Sequence, residues 1–494
     1  MHNPWLARKP LERLLAEASG EHRLRRVLGP WQLTSLGVGA IIGAGIFVMT
    51  GAIAKETTGP ALVLSFAVVG VVCVFAALCY AEFASMVPVA GSAYTYAYAT
   101  LGELFAWIIG WDLVLEYAVG AATVANGWSS YFQSALGIVH VQLPRLLRGP
   151  LFCYDGELGR LVTTDALVNL PAVLAVAIVT AVLVVGIRES ARVNTIMVAL
   201  KVAAVLFVIV VGAAYVDPRN WHPFAPFGFT GLSMFGRTVL GQADAGGHPR
   251  GMLAGAALAF FAFIGFDSVS THAEESRRPQ RDVPIGIIAS LTLCTTLYMA
   301  VVAVLTGMVP YRELDKSAPV ADAFARAGLR FAHAVIAIAG VAGITSVLLV
   351  MMLSLPRVLL AMARDGLLPP GFFAAIHGRY HTPWKSTIAT GAFVAVLAAF
   401  LPIDALVRLV NMGTLLAFMI VCAAVLIMRR THPDAARPFR APFGAAVPVL
   451  GIVSCGLLMF SLPSENWLRL VIWLVIGLAI YGCYGRRHSA LRQR

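Results

Sequence analysis

Charge is scarce in this chain: only 13% of its 494 residues are Asp, Glu, Lys or Arg, against 59% that are hydrophobic. A soluble surface of matching size could not be solvated with so few charges, so a large water-soluble domain is excluded. A mean hydropathy of +0.80 points to a polytopic helical membrane protein. Acidic residues are the scarcer sign, 25 against 37 basic ones, for a net charge of +12. That excess is accounted for by membrane topology and lipid headgroups, and nucleic acid is a poor explanation of it. The seven cysteines give no framework, because Cys73, Cys79, Cys294, Cys422, Cys455 and Cys483 lie in apolar runs and Cys153 stands alone. Neither a disulfide scaffold nor a metal site is expected. Sequences of the form GxxxxGK[ST], HExxH and GxSxG are missing, so no enzyme and no cofactor are expected. Gly37-Val38-Gly39 opens no βαβ unit, which removes a dinucleotide site. No ring of charge marks a channel.

Long apolar runs are what the chain has instead. About twelve of roughly 20 residues can be marked; the first is Trp31 to Ala54, the third Glu103 to Leu136, the sixth Met252 to Thr271 and the last Trp467 to Tyr484. An even count puts both termini on one side. Arg8, Lys9, Arg13, Arg23, Arg25 and Arg26 precede the first run and Arg486, Arg487, Arg492 and Arg494 follow the last, so that side reads as the cytoplasm of a cell-membrane protein. Arg188, Arg192, Arg277, Arg278, Arg281, Arg429, Arg430, Arg437 and Arg440 fall in loops that the alternation also puts inside. The expected organisation is a cytoplasmic tail (1–30), five spans (31–216), five more (252–428), two appended spans (429–485) and a short tail (486–494). Residues 10–26 could form a basic amphipathic helix on the inner surface or stay disordered.

Two of these runs are interrupted. Gly43-Ala44-Gly45 sits inside GVGAIIGAGIFV and Gly265-Phe266-Asp267 inside FAFIGFDSVST. A bilayer offers no partners to free backbone groups, so a helix is broken at mid-depth only where those groups line a protected cavity. The breaks fall in the first and sixth spans, the equivalent positions of two five-span halves. An odd number of spans per half makes the second run opposite to the first, as in transporters built from inverted repeats. The alternative is that Gly39, Gly43 and their small neighbours are a packing face of continuous helices.

Unwinding at Gly43, Ala44 and Gly45 would leave N–H groups at the start of a half-helix, where an anion is favoured. The carbonyls of Ile41, Ile42, Phe263 and Ile264 would end the preceding half-helices, where partial negative charge favours an ammonium group. Both poles a few ångströms apart describe the backbone of an α-amino acid.

Five stretches carry a resemblance that covers nearly the whole chain. They are GVGAIIGAGIFV, CYAEFASMVPVAGSAYTYAY, GWDLVLEY, FFAFIGFDSVSTHAEESRRPQRDVPIGI and RVLLAMARDGLLP, in that order. The chain resembles the amino acid–polyamine–organocation transporters, and within them the cationic amino acid transporter branch and its bacterial relatives. The resemblance implies an all-α, LeuT-like architecture of five plus five inverted spans with broken helices 1 and 6, alternating access and amino acid uptake. It also implies proton coupling without sodium, or else exchange or uniport of cationic amino acids or amines, with substrate, protons and the lipid bilayer as partners. The oligomeric state is open.

Ionisable residues in apolar spans are costly, roughly 2.5–3.5 kcal/mol or more at mid-bilayer, and Glu116, Lys201 and Asp267 stand out. By resemblance the Lys201 ammonium occupies the place a sodium ion takes in coupled relatives, and it could also load a proton; the alternative is a permanent strut to carbonyls near Gly43 and Ser354. Asp267 opens the second half of the sixth span, as an N-cap, a coupling carboxylate or both. Glu116 could exchange a proton, pair with a cationic substrate or bridge to a neighbouring helix. Ser346, Val347 and Leu348 are pocket candidates by resemblance, and their bulk favours small or neutral substrates. Glu82, the Glu274-Glu275 and Arg277-Arg278 cluster, Arg357 and Arg364 are candidates for an inner ion-pair network. Trp128 and His333 have no assignable role.

Overall fold

The computed structural model describes Lys9 and residues 28–87, 92–155, 160–186, 191–380 and 382–492. The basic tail at 10–26, with Arg13, Arg23, Arg25 and Arg26, lies outside them, as do Arg8, Arg188 and Arg494. The rest is mostly helical. Among the described residues eight stretches are long and apolar enough to cross a membrane, and three shorter apolar helices accompany them.

The first stretch begins as α1 (Pro30–Ile41), is interrupted, resumes through π-helical turns at Gly45–Met49 and Ala54–Thr58, and leads into α2 (Leu62–Met86). A short helix, α3 (Ser92–Thr100), precedes α4 (Glu103–Ile138), followed by α5 (Leu170–Val185) and α6 (Ala191–Ala213). The second interrupted segment is α7 (Met252–Ala259), a 3-10 turn at Phe260–Phe263 and the one-turn α8 (Ser268–Thr271). Then come α9 (Pro279–Met308), α10 (Pro319–Arg326), α11 (Arg330–Arg364), α12 (Trp384–Phe400), α13 (Ile403–Thr431), α14 (Ala446–Ser461) and α15 (Ser464–Ile480). Proline opens several of them, at Pro30, Pro171, Pro279 and Pro319, where its missing N–H costs nothing.

Helix α4 lies at the centre, packed against α11 and α13, and is buried along most of its length. Helices α14 and α15 lie at the edge. Val449, Val453, Leu457 and Phe460 form an exposed apolar stripe on α14 at helical spacing, as expected of a lipid-facing surface. The all-helical expectation needs one correction. Among the described residues three antiparallel hairpins stand between the helices: Phe152–Asp155 with Arg160–Thr163, Leu232–Met234 with Arg237–Leu240, and Gln242–Ala243 with Pro249–Arg250. The second turns through Phe235 (φ +53°) and Gly236 (φ +78°), the positive-φ pair a two-residue hairpin requires. It docks by Ser233 Oγ donating to the Ser461 carbonyl (2.8 Å).

Candidate functional site

Helix α1 stops because Ile42 turns extended (φ −70°, ψ 104°), although its amide still reaches back to the Val38 carbonyl at 2.9 Å. Among the described residues the amides of Gly43 and Ala44 have no backbone acceptor, and regular bonding resumes when the Phe47 amide reaches the Gly43 carbonyl. The carbonyls at the break are engaged by side chains. Lys201 Nζ donates to Gly39 (2.7 Å) and Ile42 (3.1 Å), and the Tyr298 hydroxyl donates to Ile41 (2.8 Å). Above the amides, the side chain of Val347 is close: a Cβ on Gly43 would lie 2.7 Å from its Cγ2.

The second interruption centres on Ile264, extended at φ −59° and ψ 131°, and on Gly265 at φ +123°. Among the described residues no hydrogen bond reaches the Phe263 or Ile264 carbonyl, and the amides of Gly265, Phe266 and Asp267 have no backbone acceptor. The two breaks cross each other reciprocally. A Cβ on Gly265 would meet the Ala40 carbonyl carbon and oxygen at 2.9 Å, and one on Gly45 would meet the Ala262 amide nitrogen at 3.0 Å and its Cα more closely still. Glycine at both crossings lets the two backbones touch.

Asp267 stands at the N-cap position of α8, with its carboxylate beside the backbone amides of Gly265 and Ser268 but in no regular capping hydrogen bond. Its Oδ2 instead accepts from the Tyr117 hydroxyl at 3.3 Å, and its Oδ1 is buried without a partner. Glu116 is buried on α4 with Oε1 unpartnered. Lys201 is buried too, as the strut to main-chain carbonyls, but those carbonyls belong to Gly39 and Ile42; the Ser354 hydroxyl bonds to Val350 within its own helix. Leu348 is fully buried on α11, next to the Val347 that faces Gly43. Ser346 Oγ is buried and unpartnered.

Sequence reasoning passed over three residues here. Asp112 is 1% exposed and neither carboxylate oxygen has a partner. Its signal was present in GWDLVLEY, where Asp112 and Glu116 are four apart and so share one helix face. Tyr117 and Tyr298 bridge to Asp267 and Ile41, and nothing in an apolar helical run announces such long-range bonds.

Of the expected ion-pair network, the part around Glu82 is visible, and the Glu274 side chain lies outside the described residues. Glu82, 2% exposed, accepts from Arg429 Nε at 2.9 Å and again from Arg429 Nη2, from the Ala441 amide at 2.9 Å, and pairs with Arg437 at 3.7 Å. Among the described residues Arg277, Arg278, Arg357 and Arg364 form no ion pair. Trp128 donates to Thr345 Oγ1 (2.8 Å), and His333 bonds Ser134 Oγ (3.1 Å).

Comparison with known proteins agrees with the architecture. Residues 28–481 match the amino acid permease family model. The chain is 45% identical over 487 residues to the branched-chain amino acid permease BcaP of Bacillus subtilis (strain 168), covering 98% of each protein. It is 42% identical over 486 residues to the methylthioribose transporter of the same organism, covering 98% of this chain and 99% of that one. It is 38% identical over 435 residues to human cationic amino acid transporter 4, covering 85% of this chain and 62% of the relative. The broken membrane helices, the buried ionisable groups between them and these likenesses converge: this chain is a multi-pass membrane transporter that belongs to the amino acid permease family.

Proposed function

We propose that this protein is a secondary active carrier that moves a small, neutral amino acid together with protons, independently of sodium, by alternating access around the two breaks. One observation carries the reading. The first break holds amides without backbone acceptors at Gly43 and Ala44, and the second holds carbonyls without donors at Phe263 and Ile264. A carboxylate suits the amides and an ammonium the carbonyls, so the substrate backbone lies across the crossing of the two segments. Gly45 completes the close approach, and Ile41 and Ile42, whose carbonyls already accept from Tyr298 and Lys201, frame the pocket. Val347 and Leu348 present apolar bulk toward the side chain, which favours a neutral substrate. The name of the branched-chain amino acid permease is in line with that choice.

The proposed architecture has twelve spans. The segment Pro30–Met86, at 57 residues, is roughly 85 Å long as a helix and makes two crossings. Seven further long stretches and three short ones bring the count to twelve. Residues 31–216 and 252–428 form the inverted halves, supported by the reciprocal crossing of Gly45 on Ala262 and Gly265 on Ala40. Both termini lie in the cytoplasm. Lys9 Nζ and the Ala490 amide both bond Asp365, at 3.2 and 3.0 Å, which supports an even number of crossings.

In the proposed cycle, the Lys201 ammonium stands where a transported cation would otherwise bind, which makes sodium unnecessary. Protons are exchanged by Asp267 and Glu116. A second reading, exchange of cationic amino acids, rests on the unpartnered carboxylate oxygens of Glu116 and Asp267 and on the names of the cationic amino acid transporters.

Proteoliposomes separate these readings. Counterflow and pH-gradient-driven uptake are measured with leucine, alanine, arginine and, given the relative named for it, methylthioribose. Gradient-driven uptake of a neutral amino acid is expected, and arginine counterflow that ignores the gradient would establish the second reading. Gly43→Leu is expected to abolish binding, since its side chain would enter the space of Val347; unchanged uptake refutes the backbone pocket. Lys201→Ala is expected to slow cycling without creating sodium dependence, and normal kinetics would show the lysine to be passive packing.

A further inference from the structure

Asp112 and Glu116 stand one turn apart on α4, about 5–6 Å between their Cβ atoms. Both are buried, Asp112 with two unpartnered oxygens and Glu116 with one. Glu116 interacts electrostatically with Asp112 on one side and with Asp267 on the other. Three carboxyl groups thus run from the second break along one face of the central helix. Asp112 presses on a gap in α13: a Cβ on Gly413 would lie 2.8 Å from its Oδ1.

Among the described residues the surroundings supply no balancing charge. On α4 the titratable neighbours are Glu116 and Tyr117. The broken segment supplies Asp267, α2 supplies Tyr80, and α3 supplies Tyr94 and Tyr96. Facing α13 contributes Gly413, Asn411 and Thr414, none titratable, with the Thr414 hydroxyl bonded to Glu116; α11 contributes Met362 near Gly110, and α15 contributes Trp473 against Trp111. Among the described residues no ion pair includes Asp112, Glu116 or Asp267, and Lys201 is committed to the Gly39 and Ile42 carbonyls. The hydroxyl of Tyr80 is also buried and unpartnered, and Tyr80 lies within electrostatic reach of both Asp267 and Glu116.

Three adjacent carboxylates in a dry interior cannot all stay ionised, because each lacks solvation and each repels the next. A proton is the smallest neutralising partner, and with no cationic side chain paired to these carboxyls among the described residues it is the natural one. Asp112 is nine residues into α4, roughly 13 Å from the end that starts at Glu103, and Glu116 is roughly 20 Å from it. That is the end where Lys9 and the segment around Ala490 gather at Asp365.

We propose that Asp112 holds a proton and is the relay carboxyl between Glu116 and the terminal-bearing face of the protein. In the step, once a side-chain rotation brings the two carboxyls into hydrogen-bond contact, the O–H bond of protonated Glu116 breaks and one to the Asp112 carboxylate forms, so a negative charge moves from Asp112 to Glu116 and no other reactant is consumed. The proposal rests on the proton-coupled reading above.

Two measurements on the full-length protein test it. Infrared difference spectra across a pH titration should show the C=O stretch of a protonated buried carboxyl in the wild type, with one component missing in Asp112→Asn. In proteoliposomes, a coupled proton supports roughly tenfold accumulation per unit of pH gradient; Asp112→Asn should abolish that accumulation while retaining counterflow, and Asp112→Glu should restore it. An infrared band unchanged by Asp112→Asn, gradient-driven uptake equal to wild type, or equal loss of uptake and counterflow overturns the relay. Wild-type uptake that ignores the gradient is a different outcome: it overturns proton coupling itself, and the relay with it.

Discussion

Replacing Gly265 by alanine tests the crossing of the two breaks more sharply than any polar substitution. Gly265 has φ +123°, a region that residues with a Cβ rarely enter, and an added Cβ would lie 2.9 Å from the Ala40 carbonyl carbon and oxygen and 3.0 Å from its Cβ. The obstruction is backbone on a packed helix, so it cannot swing aside like a flexible side-chain end. Strained φ costs about 1–3 kcal/mol, and overpacking of a close contact about 1–3 kcal/mol more. A loss of about 2–6 kcal/mol is therefore expected, a large fraction of the stability of an ordinary domain. The assay is thermal unfolding of purified protein followed by intrinsic fluorescence, run beside two controls. In Gly343→Ala the new methyl would meet Lys201 Cγ at an ordinary 3.5 Å, and in Gly137→Ala nothing lies within 4 Å. Both controls sit within helices, where alanine gains up to about 1 kcal/mol over glycine, so their melting temperatures should hold or rise. Gly265→Ala with wild-type melting and wild-type counterflow would refute the claim that the two segments touch through their backbones.

Two further outcomes concern buried carboxylates that tie helices and the C-terminal segment together. Glu82→Ala strands the Arg429 guanidinium and the Ala441 amide, and removing one partner of a buried pair costs about 3–5 kcal/mol, so a lower melting temperature is expected, with Glu82→Gln less affected; equal melting of wild type and Glu82→Ala would count against the network. Glu103 gathers the hydroxyls of Tyr481 (2.7 Å), Tyr98 (3.1 Å) and Ser489 and the Arg492 guanidinium (3.2 Å). Glu103→Ala should therefore loosen the segment 486–492 and speed tryptic cleavage at Arg486 and Arg487, read by mass spectrometry, and an unchanged cleavage rate would show that other contacts hold it.

The long helices were legible from hydropathy alone, because a bilayer selects for length and apolarity and both are written locally. The expected run Glu103 to Leu136 became Glu103–Ile138, and Met252 to Thr271 emerged as one interrupted stretch. The breaks were legible for a related reason: glycines beside small residues in a membrane-length run are a local anomaly. Hairpins at 152–163 and 232–250 were not foreseen, since short strands are set by pairing between segments and by docking onto neighbours such as Ser461.

By itself the sequence determined a polytopic helical membrane protein with two unwound segments and a few ionisable residues in places where charge is expensive. Only the tertiary structure decided which groups are free and which are taken. It gave the Ile42 carbonyl to Lys201 and the Ile41 carbonyl to Tyr298, left the Gly43 and Ala44 amides without backbone acceptors, set the Asp267 carboxylate against Tyr117 and joined Asp112 to the buried carboxylates. The physical reason is range. Helix formation and membrane insertion depend on residues within a few turns, whereas a hydrogen bond between Tyr298 and Ile41, 257 positions apart, exists only once the helices have packed.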